Sequence, residues 1–563
     1  MRGSLTPPRG RFPVNAETGS IPAVSPERPP AAEPEHPRPV AVGERGDGSW
    51  KPLTRSERSA VALFVLVLAV STVPFLPPGI CYSDGGDLQL AAATLGVMHP
   101  PGYAGYVSLL HLLTQVPGVD PAYMVSLGCL AAGITALMLL VLIMIRLGVD
   151  AWWAAALALG LATWRMARLW IWVNLVAPEV YGLSLALLLG VIYLLMRHHA
   201  RGKTRDLFVA ALLYGFLVAN RPVAIYFLPF VVIAWWAASR RHRLTPARAV
   251  GRLGVCALLA SLPGFYTLGY LWVRDNPSTP YVYIDHHNAE FRHLPESTDG
   301  PAAKWERILW HVTAQEFHQY IRTEPKRMWN RLRWVYKLFF LYQPVRFALT
   351  MTLLLGGAAL VWVRFRQAFA LLIGAAVADL VFICTYDIHG QAGDISPLLA
   401  VCTVLFGVVT SVLFPRQAGV VRRLGAVSLM LAVSISMLWR APALGPRSSE
   451  DALQWVRDVD MKTLPANAVI CSTWRESPAL WYAKHVLTGR KDVSIINTVT
   501  FQWIERVKQL PGRPVFSVAK VPEVTHYDPQ PYRVVRAGDS EFIVLWKLGA
   551  FGPGKTPPDD ASP

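Results

Sequence analysis

The sequence has few charged residues and no paired cysteines, and each shortage excludes a class of protein. Only 16% of its 563 residues are charged, while 53% are hydrophobic. Because soluble domains carry about 25% charged residues, one water-soluble globule of this size is excluded. Six cysteines lie scattered along the chain with no CxxC pair. This spacing argues against a disulfide framework or a zinc ribbon.

The two ends of the chain lack hydrophobic periodicity. Ten of the first fifty residues are proline, and such a segment cannot bury enough apolar surface to offset its chain entropy. We predict a disordered cytoplasmic tail at 1–58 and a second polar tail at 551–563. The N-terminal segment also lacks a signal-peptide core, so the first apolar run, 61–80, is predicted to remain in the membrane as a helix.

Long apolar runs fill most of the segment 59–445. Membrane-spanning helices need about twenty apolar residues, and by this criterion we predict about eleven spans. They lie at 61–80, 121–145, 151–172, 178–196, 207–220, 222–238, 253–273, 346–363, 367–386, 395–414 and 424–440. The sequence therefore predicts a polytopic α-helical membrane protein.

Basic residues gather in four of the short loops between these runs, around positions 197–205, 240–252, 364–366 and 416–423. All four loops fall on one side if the spans alternate, and cytoplasmic loops are enriched in Lys and Arg. We therefore predict a cytoplasmic N-terminus and an external C-terminus. This placement explains the net charge of +17 without nucleic acid.

Two further outer regions are predicted beside the loop 81–119. The loop 274–345 contains a stretch, 305–336, whose aromatic and basic residues are typical of an amphipathic helix on the membrane surface. The segment 446–550 alternates helical patterns with strand patterns at 468–472, 492–496, 514–518 and 542–546. It is predicted to form a small extracytoplasmic α/β domain.

The loop after the first span contains the most informative motif, Ser83-Asp84-Gly-Gly-Asp87, followed by His99-Pro-Pro-Gly-Tyr103. Ser83 or Asp84 is expected to cap a helix whose first turn holds Asp87. A carboxylate at the outer membrane face can deprotonate a hydroxyl group or hold a divalent ion. A capped surface helix without chemistry is the alternative.

Several motifs resemble the protein O-mannosyltransferase-like membrane family of the GT-C glycosyltransferase superfamily. They are Asp84-Gly-Gly-Asp87-Leu, Thr94-Leu-Gly-Val-Met-His99-Pro-Pro-Gly-Tyr103, Glu179-Val-Tyr181-Gly-Leu, Gly215…Asn220-Arg221, Trp310-His311-Val-Thr and, nearer the C-terminus, Leu464-Pro-Ala-Asn-Ala-Val with Gly489-Arg-Lys-Asp-Val493. The resemblance covers about 59–500. It implies a GT-C fold and transfer of a sugar, with mannose suggested by the family name, from a polyprenyl-phosphate donor.

The resemblance also implies site roles. Asp84 stands at the family's leading Asp and is the expected general base, while Asp87 stands where the family usually has Glu and is a helper or metal ligand. His99 and Tyr103 fall where related transferases contact the donor phosphate. The sequence departs from the family again at Arg221, where His is more frequent.

Other residues are placed by their chemistry. Negative charge develops on a departing lipid phosphate and is stabilised by basic donors near the membrane face. The candidates for this role are Arg165, Arg168, Arg221 and His311, with Glu179, Tyr181, Asp387 and His389 as supporting residues.

The acceptor is predicted to be a protein, glycan or lipid hydroxyl, and membrane lipids are the other partners. No cofactor is required by the sequence, and a divalent metal would be held by Asp84 and Asp87. A second metal candidate, Asp285-His286-His287 with Glu290 and His293, reads by default as a polar loop. No usable Asn-x-Ser/Thr site occurs, which is compatible with a bacterial plasma membrane.

Two alternatives to the enzyme remain open from the sequence. A transporter or flippase of lipid-linked sugars would place charges through the bilayer centre and contain an inverted repeat, and neither feature stands out. A non-catalytic membrane scaffold would bind a partner through its C-terminal domain.

Overall fold

The computed structural model describes residues 50–163, 173–286, 294–340, 344–387, 395–413, 419–440, 452–497, 510, 512–518, 530–537 and 540–550. In these ranges lie seventeen α-helices of six or more residues. They are α1 (Arg55–Thr72), α2 (Ser83–Thr94), α3 (Ala104–Thr114), α4 (Pro121–Arg146), α5 (Ala151–Thr163), α6 (Tyr181–Arg201), α7 (Thr204–Asn220), α8 (Leu228–Arg241), α9 (Pro246–Arg274), α10 (Pro301–Val312), α11 (Pro325–Phe340), α12 (Pro344–Arg364), α13 (Arg366–Thr385), α14 (Ser396–Leu413), α15 (Gly419–Arg440), α16 (Leu453–Val459) and α17 (Ser477–Tyr482).

Eight helices in the described ranges are long and apolar enough to cross a membrane: α1, α4, α6, α8 with the 3₁₀ turn before it, α9, α12, α13 and α14. The prediction of a polytopic helical membrane protein is confirmed. The count of eleven stays a prediction. The other three predicted spans overlap α5, α7 and α15 where they are described, and 164–172 lies outside the described residues. Of these three, α7 has 17 residues and the apolar part of α15 is only Arg423–Ile435.

The ends of the helices follow from local chemistry. Thr54 and Glu57 form a reciprocal capping box at the start of α1, which satisfies two backbone N–H groups that lack helical partners. Asp120 caps α4, and Pro121 occupies its first position. Helix α7 stops at Asn220 because Pro222 disfavours helical geometry at Arg221, whose backbone is extended. These stops fix where the loops begin.

The strands form one five-stranded sheet with the order β2-β1-β3-β5-β4. Its members are β1 (Val469–Ser472), β2 (Ser494–Asn497), β3 (Pro514–Ser517), β4 (Gln530–Ala537) and β5 (Ser540–Ala550). Strand β1 runs parallel to β2 and β3, while β5 is antiparallel to β3 and β4. Four strands lie where they are predicted, and β4 was not predicted. A helical pattern in the same segment, at 504–509, lies outside the described residues.

The C-terminal unit, defined here as 452–497 with β3, β4 and β5, packs against the loop that follows α1. Ala452 N donates to Ile80 O at 2.9 Å, and Ser83 N donates to Arg475 O at 2.9 Å. Buried side chains of α2, α3, α17 and the sheet belong to one apolar cluster. The C-terminal unit therefore shares its hydrophobic core with α2 and α3.

The amphipathic segment differs from its prediction. One helix was expected over 305–336, but the chain forms α10 and α11 with a 3₁₀ turn at Gln315–Tyr320 between them. The break occurs at Ala314, which has a positive φ of 53°, a conformation that interrupts a helix. This break turns Phe317 and His318 toward the cavity described below.

Candidate active site

Helix α2 presents its first turn to the C-terminal unit. A Cβ atom at Gly86 would lie 2.2 Å from Cys81 O and 3.1 Å from the Pro478 side chain, so only glycine allows this approach. The predicted side-chain cap by Ser83 or Asp84 is wrong, since the N-cap is Tyr82 and no side chain caps the helix. The Asp84 side chain is engaged elsewhere.

Asp84 accepts a hydrogen bond from the C-terminal unit. The indole Nε1–H of Trp474 donates to Asp84 Oδ1 at 2.7 Å. The described residues donate no hydrogen bond to the other oxygen, Oδ2. Asp84 is thus held at one oxygen, and the second is left for a ligand.

Asp87 is buried with 0% exposure and binds His99. Its Oδ2 accepts from the backbone N of His99 at 3.0 Å and lies 2.5 Å from His99 Nδ1. Its Oδ1 accepts from Tyr281 OH at 2.6 Å. Because both oxygens are occupied, Asp87 orients His99 and does not face the cavity.

Three hydrogen bonds to neighbouring segments fix the loop that carries His99. Val97 pairs with the segment around Val282, since Val97 N donates to Tyr281 O and Tyr283 N donates to Val97 O, each at 2.9 Å. Tyr270 OH donates to Gly96 O at 2.6 Å. Such bracing keeps the imidazole in one orientation.

His99 is held in its charged form. Burial alone would lower its pKa, but the hydrogen bond to Asp87 and the negative charges of Asp84 and Glu316 outweigh this effect and raise the pKa to about 9. Burial and the Asp87 charge also raise the pKa of Tyr281 well above its usual range, so Tyr281 stays a neutral donor. At neutral pH the site therefore contains an imidazolium.

Aromatic rings surround this imidazolium. The centroids of Tyr103, Tyr283, Phe317 and Trp474 lie 5.4–6.4 Å from that of His99. All four rings meet the imidazole edge to face, and the His99 side chain is only 12% exposed. With Nδ1 bound to Asp87, Nε2–H is the donor that remains for a ligand.

Asp84 and His99 line one cavity of about 390 Å³. Its wall also includes Pro100, Pro101, Tyr103, Val180, Tyr181, Asn220, Arg221, Pro222, Val223, Ile225, Tyr226, Thr313, Ala314, Phe317, His318, Ile321, Phe382, Thr385 and Tyr386. Arg221 stacks over the Phe382 ring at 5.5 Å and lies 3.6 Å from Asp379 Oδ1. A carboxylate, an imidazolium and a guanidinium thus share one chamber.

The predicted site residues divide into three groups. Asp84, His99, Tyr103, Tyr181 and Arg221 line the cavity. Asp87, Glu179, His311 and Asp387 lie beside or behind it, and Arg165, Arg168 and His389 lie outside the described residues.

Two residues of the second group have roles that the sequence did not indicate. His311 is 1% exposed, its Nε2 lies 2.9 Å from Met98 O, and burial lowers its pKa to about 4. It therefore supports the loop as a neutral group. Asp387 pairs with Arg331 at the edge of the cavity.

Sequence reasoning missed Trp474 and Tyr281. Neither stands near the acid motif along the chain, and no spacing links them to it. The aromatic richness of 310–320 was a usable signal for Phe317, but it was interpreted as a membrane surface.

Of the second metal candidate, Asp285 and His286 are engaged with other groups, while His287, Glu290 and His293 lie outside the described residues. Arg307, 0% exposed, donates to both oxygens of Asp275 at 2.9 and 2.7 Å and to Asp285 Oδ1 at 2.6 Å. His286 Nδ1 lies 2.9 Å from Val282 O. Within the described part of the chain, no group of three or more His, Cys, Asp or Glu residues could hold a metal ion.

Part of the cavity wall lies in a segment that resembles a known sequence family. Residues 84–244 match the family described as the protein O-mannosyl-transferase TMEM260 N-terminal domain. This TMEM260-like segment spans 161 of the 563 residues. The TMEM260-like segment contains Asp84, His99, Tyr103, Tyr181 and Arg221, which are the predicted residues that line the cavity.

Relatives match the TMEM260-like segment and the wider chain unequally. The mouse protein O-mannosyl-transferase TMEM260 is 36% identical over 141 residues, which are 25% of this chain and only 19% of the mouse protein. Crystal structures of ArnT from Cupriavidus metallidurans, in the apo state and bound to undecaprenyl phosphate, are 13% and 11% identical. Each ArnT alignment covers 88% of this chain and 99% of the ArnT chain, and the TM-scores are 0.48 for the apo structure and 0.47 for the bound structure.

Proposed function

We propose that the protein is a membrane glycosyltransferase of the GT-C type that moves a sugar from a polyprenyl-phosphate donor to an acceptor hydroxyl. The observation that carries the proposal is the shared cavity of Asp84 and the His99 imidazolium, within the TMEM260-like segment. The carboxylate is suited to accept a proton. The His99 imidazolium is suited to donate a hydrogen bond to a phosphate oxygen.

The reaction follows from this pair of charges. Asp84 Oδ2 takes the proton of the acceptor hydroxyl, whose oxygen forms a bond to the anomeric carbon. The bond from that carbon to the phosphate oxygen breaks on the opposite face, which inverts the configuration. The polyprenyl phosphate leaves with the bonding electron pair.

The departing phosphate gains negative charge, and His99 is placed to stabilise it. Its Nε2–H donates to the phosphate oxygen, and Arg221 supplies a second positive charge from the start of the turn before α8. Charge-assisted hydrogen bonds of this kind are stronger than neutral ones. Asp87 acts through His99 as a positioning residue.

The family name favours mannose as the sugar, and a protein hydroxyl as the acceptor. We place the cavity on the extracytoplasmic side, as the basic loops predict. A bacterial plasma membrane is our first choice. The mouse relative makes an organelle membrane the alternative, which the location of the native protein would decide.

The proposal is tested with Asp84→Asn in membranes supplied with polyprenyl-phosphate-linked mannose and an acceptor peptide rich in Ser and Thr. We expect sugar transfer to fall by about 10³-fold, since general base catalysis contributes about 10²–10⁴-fold. Glu306→Gln is the matched control, because Glu306 is exposed on α10 outside the cavity. Unchanged transfer by a folded Asp84→Asn protein would reject Asp84 as the base.

The same membranes, with the unmodified protein, separate the enzyme from a transporter of the same lipid. A transporter would move labelled lipid-linked sugar across the bilayer without forming a glycosylated product. Movement of the lipid without any product, in the unmodified protein, would favour transport.

A further inference from the structure

A second cavity, of about 660 Å³, lies at the opposite end of the helix bundle. Helix α6 starts at Tyr181 in the first cavity and reaches His199 in the second. Its 21 residues span about 30 Å at 1.5 Å per residue. We call this second cavity the basic basin, and it is separate from the candidate active site.

Basic side chains line the basin, and no carboxylate lies among its lining residues in the described part of the chain. Arg146, Arg241, Arg364, Arg366 and His199 contribute to its wall. No Asp or Glu of the described residues forms an ion pair with any of the four arginines. The basin therefore concentrates positive charge that the surrounding protein does not neutralise.

One nitrogen atom of these arginines, Nε of Arg146, lacks a hydrogen-bond partner among the described residues. Arg146 donates through one terminal nitrogen to Lys51 O at 3.0 Å and stacks over the Trp50 ring at 4.8 Å. Its Nε is buried, and no acceptor for it occurs among the described residues. An anion in the basin would offset the cost of this buried charge.

The remaining wall is apolar and aromatic. Ile233, Ala234 and Ala237 of α8 lie beside the arginines, and Trp362 stands under Arg366 at 5.7 Å. Tryptophan is frequent at the level of lipid headgroups. A wall that is basic at one part and apolar at another suits a ligand with a charged head and a hydrocarbon chain.

We propose that the basic basin binds the phosphate-bearing headgroup of an anionic membrane lipid. Arginine forks bind phosphate oxygens in pairs, and the cavity is large enough for a headgroup. Arginines at the C-terminal ends of α4, α8 and α12 also complement the helix dipoles. That role requires no shared cavity, whereas these side chains converge on one.

The test uses the purified full chain in detergent and native mass spectrometry. Dioleoyl phosphatidate is titrated against dioleoyl phosphatidylcholine, which has the same chains but a zwitterionic head. The variant Arg364→Gln with Arg366→Gln removes two basin charges. Its matched control is Arg205→Gln with Arg248→Gln, two exposed arginines that do not line the basin.

The basin pair is expected to weaken phosphatidate binding by about thirtyfold, because each of the two basic residues near a lipid surface contributes roughly 1 kcal/mol. The control pair is expected to stay within twofold. Equal losses in both pairs would show a diffuse charge effect and overturn the proposal. Equal binding of the two lipids would overturn it as well.

A third arm separates the lipid from free phosphate. Inorganic phosphate at millimolar concentration should leave phosphatidate binding within twofold if the lipid is the ligand, and efficient displacement would reject a lipid in favour of a soluble phosphate compound. If the double variant does not fold, Arg241→Gln at the end of α8 replaces it. No loss in that folded single variant would count against the basin.

Discussion

The two ends of the helix bundle use the same helices for opposite electrostatic purposes. At the active-site end, Asp84 and Asp87 flank one imidazolium, and loops and the C-terminal unit position all three side chains. At the basic end, arginines extend directly from helix termini, and carboxylates are absent from the described lining. A reacting pair needs support from several segments, whereas binding an anion needs only converging charge.

This difference gives each end its own expected response. Substitutions at the active-site end should change sugar transfer, while the control pair Arg205→Gln with Arg248→Gln should leave transfer within twofold. The four changes below are ordered from the largest expected effect on transfer to the smallest. If the control pair lowered sugar transfer as much as the active-site substitutions do, the two ends of the bundle would not differ in function.

Replacing the imidazolium should have the largest effect of the four. His99→Gln is expected to lower kcat/KM by about 10²–10³-fold, which is the usual cost of removing one donor that stabilises developing charge. Steady-state transfer with the lipid-linked donor measures it. A loss below threefold would mean that His99 does not meet the phosphate.

Removing Asp87 should change the pH dependence of transfer. The pKa of His99 is about 9, so the charged form is present at neutral pH and is lost as the pH rises through about 9. In Asp87→Asn the hydrogen bond to a carboxylate is gone, and burial lowers the pKa. The loss of transfer should therefore move toward neutral pH, with about tenfold less transfer at pH 8.

The pH profile distinguishes positioning from folding. A variant that is only unstable loses transfer equally at all pH values. In His99→Gln the decrease of transfer at high pH should be absent, because no imidazolium remains to lose its proton. An unchanged limb in a folded Asp87→Asn protein would contradict the proposed pairing.

Removing the indole donor should have an intermediate effect. Trp474→Phe deletes the hydrogen bond to Asp84 and is expected to lower kcat by about tenfold, since hydrogen bonds to charged groups contribute about 1.5–3 kcal/mol. KM for the donor should stay within twofold. Trp455→Phe is the matched control, because Trp455 contacts the Tyr82 ring and its indole forms no hydrogen bond among the described residues.

The smallest effect is expected at the glycine of the His99 loop. Gly102 has a φ of +89°, and an added Cβ would lie 3.0 Å from His311 Nε2. Gly102→Ala should lower the free energy of unfolding by about 1–2 kcal/mol and transfer by a few fold. Gly118→Ala controls for backbone strain, because its φ is +78° and nothing lies within 4 Å.

The sequence predicted the helices better than the site. Apolar runs are local signals, so within the described residues each predicted span overlaps a helix. The residues that line the cavity were predicted where they lie in motifs, such as Asp84 and His99. Trp474 was not predicted because it lies 390 residues from its partner along the chain, and no spacing encodes such a contact.

The other differences have local physical causes. The expected cap by Ser83 or Asp84 failed because the helix already begins at Ser83, with Tyr82 at the N-cap position, and because the Asp84 carboxylate accepts from Trp474. Strand β4 carries Pro531 and two arginines, Arg533 and Arg536, which weaken a strand pattern. Contacts between distant segments therefore determined the features that the local sequence pattern did not predict.

The hydrogen bond between Trp474 and Asp84 also sets an order of events during synthesis. The carboxylate leaves the ribosome early, but its partner follows 390 residues later, after the last helix of the bundle. The reaction centre is therefore incomplete in every truncated chain that ends before the C-terminal unit. Premature termination before the C-terminal unit should therefore yield an inserted protein with impaired sugar transfer.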